Sequence, residues 1–196
     1  MTLTELINKN RSYRRFYQDH KISNEQLIKL VNLARLSPSP RNLQALKFWV
    51  SNDEKLNNKI FPTLSWAGYL KDWSGPIPSE QPSAYIFILA DKNISDNFQK
   101  DFLSTASGIV AQSILLGAVE VGLGGCIIAA FQKNKVAKAI SLPDHLDIIL
   151  VLAIGKPKDD VVIQDVDSTG NIKYWRDEKD VHYVPKRKLN NIIKII

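Results

Sequence analysis

Residues 102–121 constrain the fold most. They read as one long helix threaded with small side chains: Ala106, Ser107, Gly108, Ala111, Ser113, Gly117 and Ala118. Small side chains let a second helix approach closely, which places this helix at the centre of the molecule. Two apolar segments, residues 84–90 (AYIFILA) and 147–155 (DIILVLAIG), read as buried strands. A shorter strand is expected at residues 48–51 and another at 125–130. A central helix beside buried strands predicts an α+β domain.

Local signals place the remaining helices. Thr2 and Glu5 have capping-box spacing, and so do Ser23 and Gln26. Leu27, Leu30, Val31 and Ala34 follow the second box at helical spacing, and Pro38 and Pro40 end that helix. Asp53 caps a short helix through residue 61, another covers residues 133–140, and Gly122 closes the central one. Residues 62–83 carry four prolines and two glycines beside Trp66, Tyr69 and Trp73. They read as a long irregular segment of the kind that forms lids and binding loops. Residues 158–185 are polar with few periodic apolar positions, and the chain ends in a short apolar helix or arm.

Five clusters could carry chemistry. Arg11, Ser12 and Arg14 crowd forked donors and a hydroxyl just past a helix end, an arrangement suited to phosphate. The same run also reads as a solvated basic face, with Arg15 simply exposed. Residues 37–44 (SPSPRNLQ) hold an extended, proline-fixed backbone with Asn42 and Gln44 amides suited to a heterocycle edge. An ordinary helix-ending loop fits as well. Residues 122–125 (GLGG) close a helix and open a strand, the reverse of a dinucleotide fingerprint. Their bare backbone either meets a flat ring or makes a cap and tight turn. Lys186, Arg187 and Lys188 either complete a phosphate site or form a solvated turn. Trp66, Tyr69 and Trp73 either line a pocket for flat substrates or pack the loop. No histidine, cysteine or carboxylate spacing suggests a metal, and no hydrolase elbow or phosphate loop is present. A bound cofactor that carries the chemistry fits that lack. Cys126 reads as a small buried residue.

In this order and separation, RSYRRF at 11–16, SPSPRNLQ at 37–44, GLGG at 122–125 and PKRKL at 185–189 resemble the FMN-dependent nitroreductase family in its short form. The resemblance implies one domain over 1–196. Its fold would be a central mixed β-sheet flanked by helices, built as an intertwined homodimer. A C-terminal arm, about 158–196, would wrap the partner. It implies FMN held by Arg11, Ser12 and Arg14, by Pro38, Ser39, Asn42 and Gln44 of the other subunit, by Gly124 and Gly125, and by Arg187 with Lys186 or Lys188. It implies hydride passing by ping-pong from NAD(P)H through the flavin to a nitroaromatic, quinone or similar acceptor, with Trp66, Tyr69 and Trp73 lining the acceptor slot. No protein side chain is then itself catalytic. The chain departs from the pattern at Asn10, where many members have Arg, and at Ala45-Leu46, where many have Pro-Trp. A flavin carrier or sensor with little turnover is the alternative, and a basic nucleic-acid-binding module ranks below it.

Charge bears on that last reading. The net charge of +6 suits anionic partners or a basic surface equally. The cations lack the aromatic interleaving of single-strand readers, so no nucleic acid is expected. The one cysteine forms no intrachain disulfide, which suits a reducing compartment. No continuous apolar run is long enough to span a bilayer, and a cytoplasmic protein without a membrane partner is expected.

Overall fold

The computed structural model describes residues 1–95 and 100–196. Helix α1 (Leu3–Lys9) begins at the Thr2–Glu5 box, in which each residue's side chain accepts the other's backbone N–H. Strand β1 (Phe16–Tyr17) follows. Helix α2 (Asn24–Leu36) starts at the Ser23–Gln26 box and buries Leu27, Leu30 and Ala34. Strand β2 (Leu46–Ser51) leads to α3 (Glu54–Ile60), capped by Asp53 Oδ1 accepting from Leu56 N at 2.7 Å. The irregular segment follows. Next come β3 (Ala84–Asp91), α4 (Lys92–Ser95), the central helix α5 (Lys100–Glu120), β4 (Gly124–Ile128), α6 (Lys133–Ala139) and β5 (Leu146–Pro157).

The central sheet runs β1-β5-β3-β2, with β4 also paired to β5. Its named pairings are all antiparallel, and parallel pairing enters it at an isolated Ser12–Gly125 bridge. Strand β3 is buried along its whole length because both faces are covered. Ile86 and Ile88 pack with α2 and α5. Tyr85, Phe87 and Leu89 pack on the other face with Ile60 of α3, Val136 of α6 and Cys126. Gly117 shows why α5 carries small residues: a Cβ there would strike Leu33 of α2.

Two regions show more than the sequence pattern announces. By length and composition α5 could cross a membrane, with a mean hydropathy of 1.6 over Asp101–Glu120, although no unbroken apolar run announces it. Half of that stretch is buried against the rest of this chain, as befits a core helix. Second, the polar segment 158–185 contains a three-stranded sheet. Strand β6 (Val161–Asp165) pairs parallel with β8 (His182–Lys186), and β7 (Trp175–Arg176) pairs antiparallel with β8. All of its residues but His182 are half-exposed or exposed, so backbone pairing shapes it and no apolar alternation marks it in the sequence. The chain ends in a 3-10 turn, Leu189–Asn191, and a tail whose Ile192, Ile193, Ile195 and Ile196 are exposed.

Candidate functional site

The segment after α1 runs extended beside β4, where Tyr13 N donates to Gly125 O at 3.1 Å. A Cβ on Gly124 would lie 2.5 Å from the Tyr13 ring, and one on Gly125 2.5 Å from Ala153 O. These glycines therefore let the segment and β5 close tightly on β4. Four side chains of the segment then diverge. Arg11 turns back and donates from Nη2 to Ile7 O at 2.7 Å, while its Nε is buried without a partner. Burial pulls the Arg11 pKa down. The Ser12 side chain is exposed. Arg14 Nη1 lies 3.1 Å from Ser12 O and 3.2 Å from His182 Nε2, and its guanidinium sits 4.7 Å from the Tyr174 ring centroid.

Arg15 is not simply exposed; its side chain is 17% exposed and forks onto Glu80, with Nε to Oε2 at 2.7 Å and Nη2 to Oε1 at 2.9 Å. Asp180 and Lys158 extend this network. The hydrogen bonds from Arg15, then Lys158, hold Glu80 at a pKa of about 2, against the desolvation of its site. Arg15 therefore anchors the segment, which leaves Arg11 and Arg14 as its candidate binding groups.

The C-terminal sheet supplies residues that sequence reasoning missed. Asp159, 1% exposed, accepts from Arg14 N at 2.7 Å, Arg15 N at 3.0 Å and Arg176 Nη2 at 3.1 Å. Strand β7 sets Arg176 directly opposite His182 on β8. His182 is 1% exposed, and burial, then the charges of Arg14 and Arg176, push its pKa down to about 4. An arginine can only donate, so His182 Nε2 accepts and its proton sits on Nδ1. Nδ1 is buried without a partner, an arrangement that costs about 1–3 kcal/mol. The alternation His182, Val184, Lys186 was the available signal, since residues two apart share a strand face. It also separates the two lysine candidates: Lys186 shares the His182 face, while Lys188 lies beyond the strand. Lys186, Arg187 and Lys188 are all exposed.

The aromatic segment divides. Tyr69 lies 4.9 Å, ring to ring, from Tyr174, and Trp73 lies under Arg176 at 4.5 Å. Both line a shallow cavity of about 460 Å³ with Trp175 and Asp180. Trp66 stands apart, packed on Phe61 and under Gly75 in the core below the sheet.

Residues 37–44 form a second corner. Their backbone is extended through Ser39 but then turns, contrary to the extended run expected, because Arg41, Asn42 and Gln44 adopt φ of 54°, 53° and 52°. Ser39 Oγ accepts from Gln44 N at 3.1 Å, and Leu43 N donates to Pro40 O at 3.1 Å. Left-handed backbone at three non-glycine residues is costly, and such strain concentrates at binding sites. Ser39 and Gln44 line an apolar cavity of about 360 Å³ shared with α2, β2 and α5, while Pro38 and Asn42 are exposed.

Sheet register fixes how far apart the corners lie. Leu46 pairs with Ala90, which pairs with Asp147 at one end of β5, whereas Gly124 pairs with Gly155 at the other end. At standard strand spacing and rise the two corners stand roughly 30 Å apart across the sheet diagonal. One chain therefore presents two half-sites that do not meet.

The sequence model of the nitroreductase family matches residues 7–156. Iodotyrosine deiodinase of Thermotoga neapolitana is 26% identical over 174 residues, covering 80% of this chain and 89% of its own. The crystal structure of a nitroreductase family protein from Clostridium novyi NT is 29% identical with a TM-score of 0.66, covering 81% of this chain and 88% of that one. The NADPH:FMN oxidoreductase from Vibrio harveyi, complexed with NAD+, is 21% identical with a TM-score of 0.64, covering 85% and 74%. At that identity the last likeness shows the fold alone. The family match takes in the arginine segment, the 37–44 corner and the glycine strand together, and this chain belongs to the nitroreductase family.

Proposed function

We propose that the chain is an FMN-dependent NAD(P)H oxidoreductase that acts as a homodimer and reduces a nitroaromatic, a quinone or a similarly flat acceptor. The observation that carries the reading is Arg11: a guanidinium with an unpartnered buried Nε, next in the chain to the Ser12 hydroxyl and on the same segment as Arg14. Unsatisfied cationic donors next to a hydroxyl suit a phosphate monoester. FMN, when bound, supplies the acceptance and delivery of hydride.

The chain's own residues do the rest. Arg11 and Ser12 hold the phosphate end, with Lys186 and Arg187 closing on it. Arg14 brings positive charge to the ring system, where it favours the reduced, more negative flavin. Tyr69 and Trp73 give the flat acceptor an apolar wall. The roughly 30 Å between the corners supports a dimer, because a second copy can bring its Pro38, Ser39, Asn42 and Gln44 to the first copy's arginine corner. Strands β6, β7 and β8 pair with one another, and the exposed apolar tail after Lys188 extends the arm that would reach the partner. The neighbours' differing chemistries, deiodination in one and flavin reduction in another, leave the acceptor to be set by this chain's own aromatic wall.

Mixing the purified protein with FMN should give a yellow complex with one flavin per subunit. NAD(P)H should bleach it without air, and a quinone should restore the colour. Arg11→Ala should weaken FMN binding about tenfold. A protein that takes up no FMN defeats the proposal, and a yellow protein that NAD(P)H never bleaches is a carrier instead.

A further inference from the structure

The residues that fix Arg14 come from the far end of the chain. Its Nη1 meets His182 Nε2 at 3.2 Å, and the face of the guanidinium lies on Tyr174. Tyr174 in turn packs at a tilt against the His182 ring at 5.2 Å and the Tyr69 ring at 4.9 Å, and its hydroxyl accepts from Tyr69 N at 3.4 Å. Arg14 is thus held at its edge by an imidazole on β8 and on its face by a phenol just before β7.

We propose that His182 is a positioning residue: with Tyr174 it clamps the Arg14 guanidinium in the direction needed to face the flavin, and it links that direction to the aromatic wall through Tyr69. The inference rests on the FMN reading above.

The tautomer is the main argument. His182 can accept from Arg14 only with its proton on Nδ1, and that N–H is buried with no partner. The opposite tautomer would place a ring N–H against an arginine N–H. Orientation of Arg14 therefore takes precedence over satisfying the imidazole. Other charged groups near the ring are arranged consistently. Arg176 faces it across β7 and spends its Nη2 on Asp159, and Asp159 takes the Arg14 backbone N–H rather than its guanidinium. His182 and the nearby Ser12 carbonyl share the Arg14 Nη1 edge, and His182 is the side chain of the two contacts. It reaches the proposed flavin site only through Arg14, which makes its role one of placement.

The linkage to Tyr69 has a consequence for the reaction. A flat acceptor that pushes Tyr69 aside moves Tyr174, and Tyr174 carries the face of Arg14. Acceptor entry and the charge next to the flavin are then mechanically joined.

The test uses the full chain and two variants. His182→Phe keeps a flat ring but cannot accept; His182→Gln restores an acceptor near the Nε2 position. FMN affinity, the midpoint potential of bound FMN and the melting of the flavin-free protein are measured for each. Expected for His182→Phe is an affinity lower by about tenfold and a more negative flavin potential, while the flavin-free protein melts no lower than wild type. His182→Gln should return affinity to within about threefold of wild type. Wild-type FMN uptake with no change in His182→Phe overturns the clamp alone, and no uptake by wild type overturns the FMN reading and the clamp with it. If His182→Phe fails to fold, imidazole nitrogen NMR of the wild type decides. A neutral ring protonated on Nδ1 upholds the clamp, and one protonated on Nε2 overturns it.

Discussion

The two corners of the candidate site are built on opposite principles. The arginine corner is held by two carboxylates and an imidazole brought from far along the chain: Asp159, Glu80 and His182 reach back to residues 14 and 15. The 37–44 corner is shaped by its own torsions and by short-range hydrogen bonds within residues 39–44, with Ser37 Oγ tying it to Ser113. The first exists only when the whole chain has folded. The second is local and strained, and it leaves Pro38, Asn42 and Gln44 projecting to solvent. A rigid cationic half and a stiff, projecting half suit a site closed between two copies.

The sharpest way to break this contrast is Asp159→Ala. It leaves two backbone N–H groups and one guanidinium without their acceptor in a buried place, and should cost about 3–5 kcal/mol. Denaturant unfolding measures it; a loss under about 1 kcal/mol would mean that charge does not hold this corner.

Acid should act on the same corner next. The His182 pKa falls from 6.5 unfolded to about 4 folded, so the unfolded chain binds more protons between those values. Stability is fully present above pH 6.5 and drains away as pH falls toward 4, by about 3 kcal/mol from this residue. Glu80, lowered from 4.5 to about 2, adds a second loss that begins below pH 4.5. Unfolding curves at stepped pH should show both, and His182→Phe should erase the first. A flat profile down to pH 4 would contradict the buried neutral imidazole.

The smallest effect belongs to the other corner. Gln44→Gly removes the Cβ penalty at φ 52° and adds freedom to the unfolded chain, so stability should rise by less than about 1 kcal/mol. FMN affinity should fall in the same variant if Gln44 serves the flavin. A clear drop in stability would show that the loop is held by its side chains instead.

What the sequence made legible divides along the same line. Both capping boxes, the Asp53 cap and the strands β3 and β5 were readable because each depends on neighbours within a few residues. The glycines at 124 and 125 were readable as a close approach, although Tyr13 and Ala153 are what approaches. The fate of Arg15 was not readable, because its partner lies 65 residues away. Nor was β8, whose alternation mixes a histidine, a valine and a lysine. Trp66 could not be told from Tyr69 and Trp73, since an irregular segment has no period to show which ring faces the core.

Strand β5 has one more consequence, for where the chain can change length. Its end is pinned by the pairs Tyr17 with Lys156 and Phe16 with Pro157, and Lys158 N donates to Arg15 O at 2.9 Å. Asp159 arrives under the amides of Arg14 and Arg15 by counting residues from those pairs. An insertion of one residue between Ile154 and Asp159 would turn the carboxylate to the opposite face. Residues 167–173 lie between β6 and Tyr174 with exposed side chains, and can lengthen freely. Descendants of this sequence should therefore vary in length at the second place and keep their count at the first.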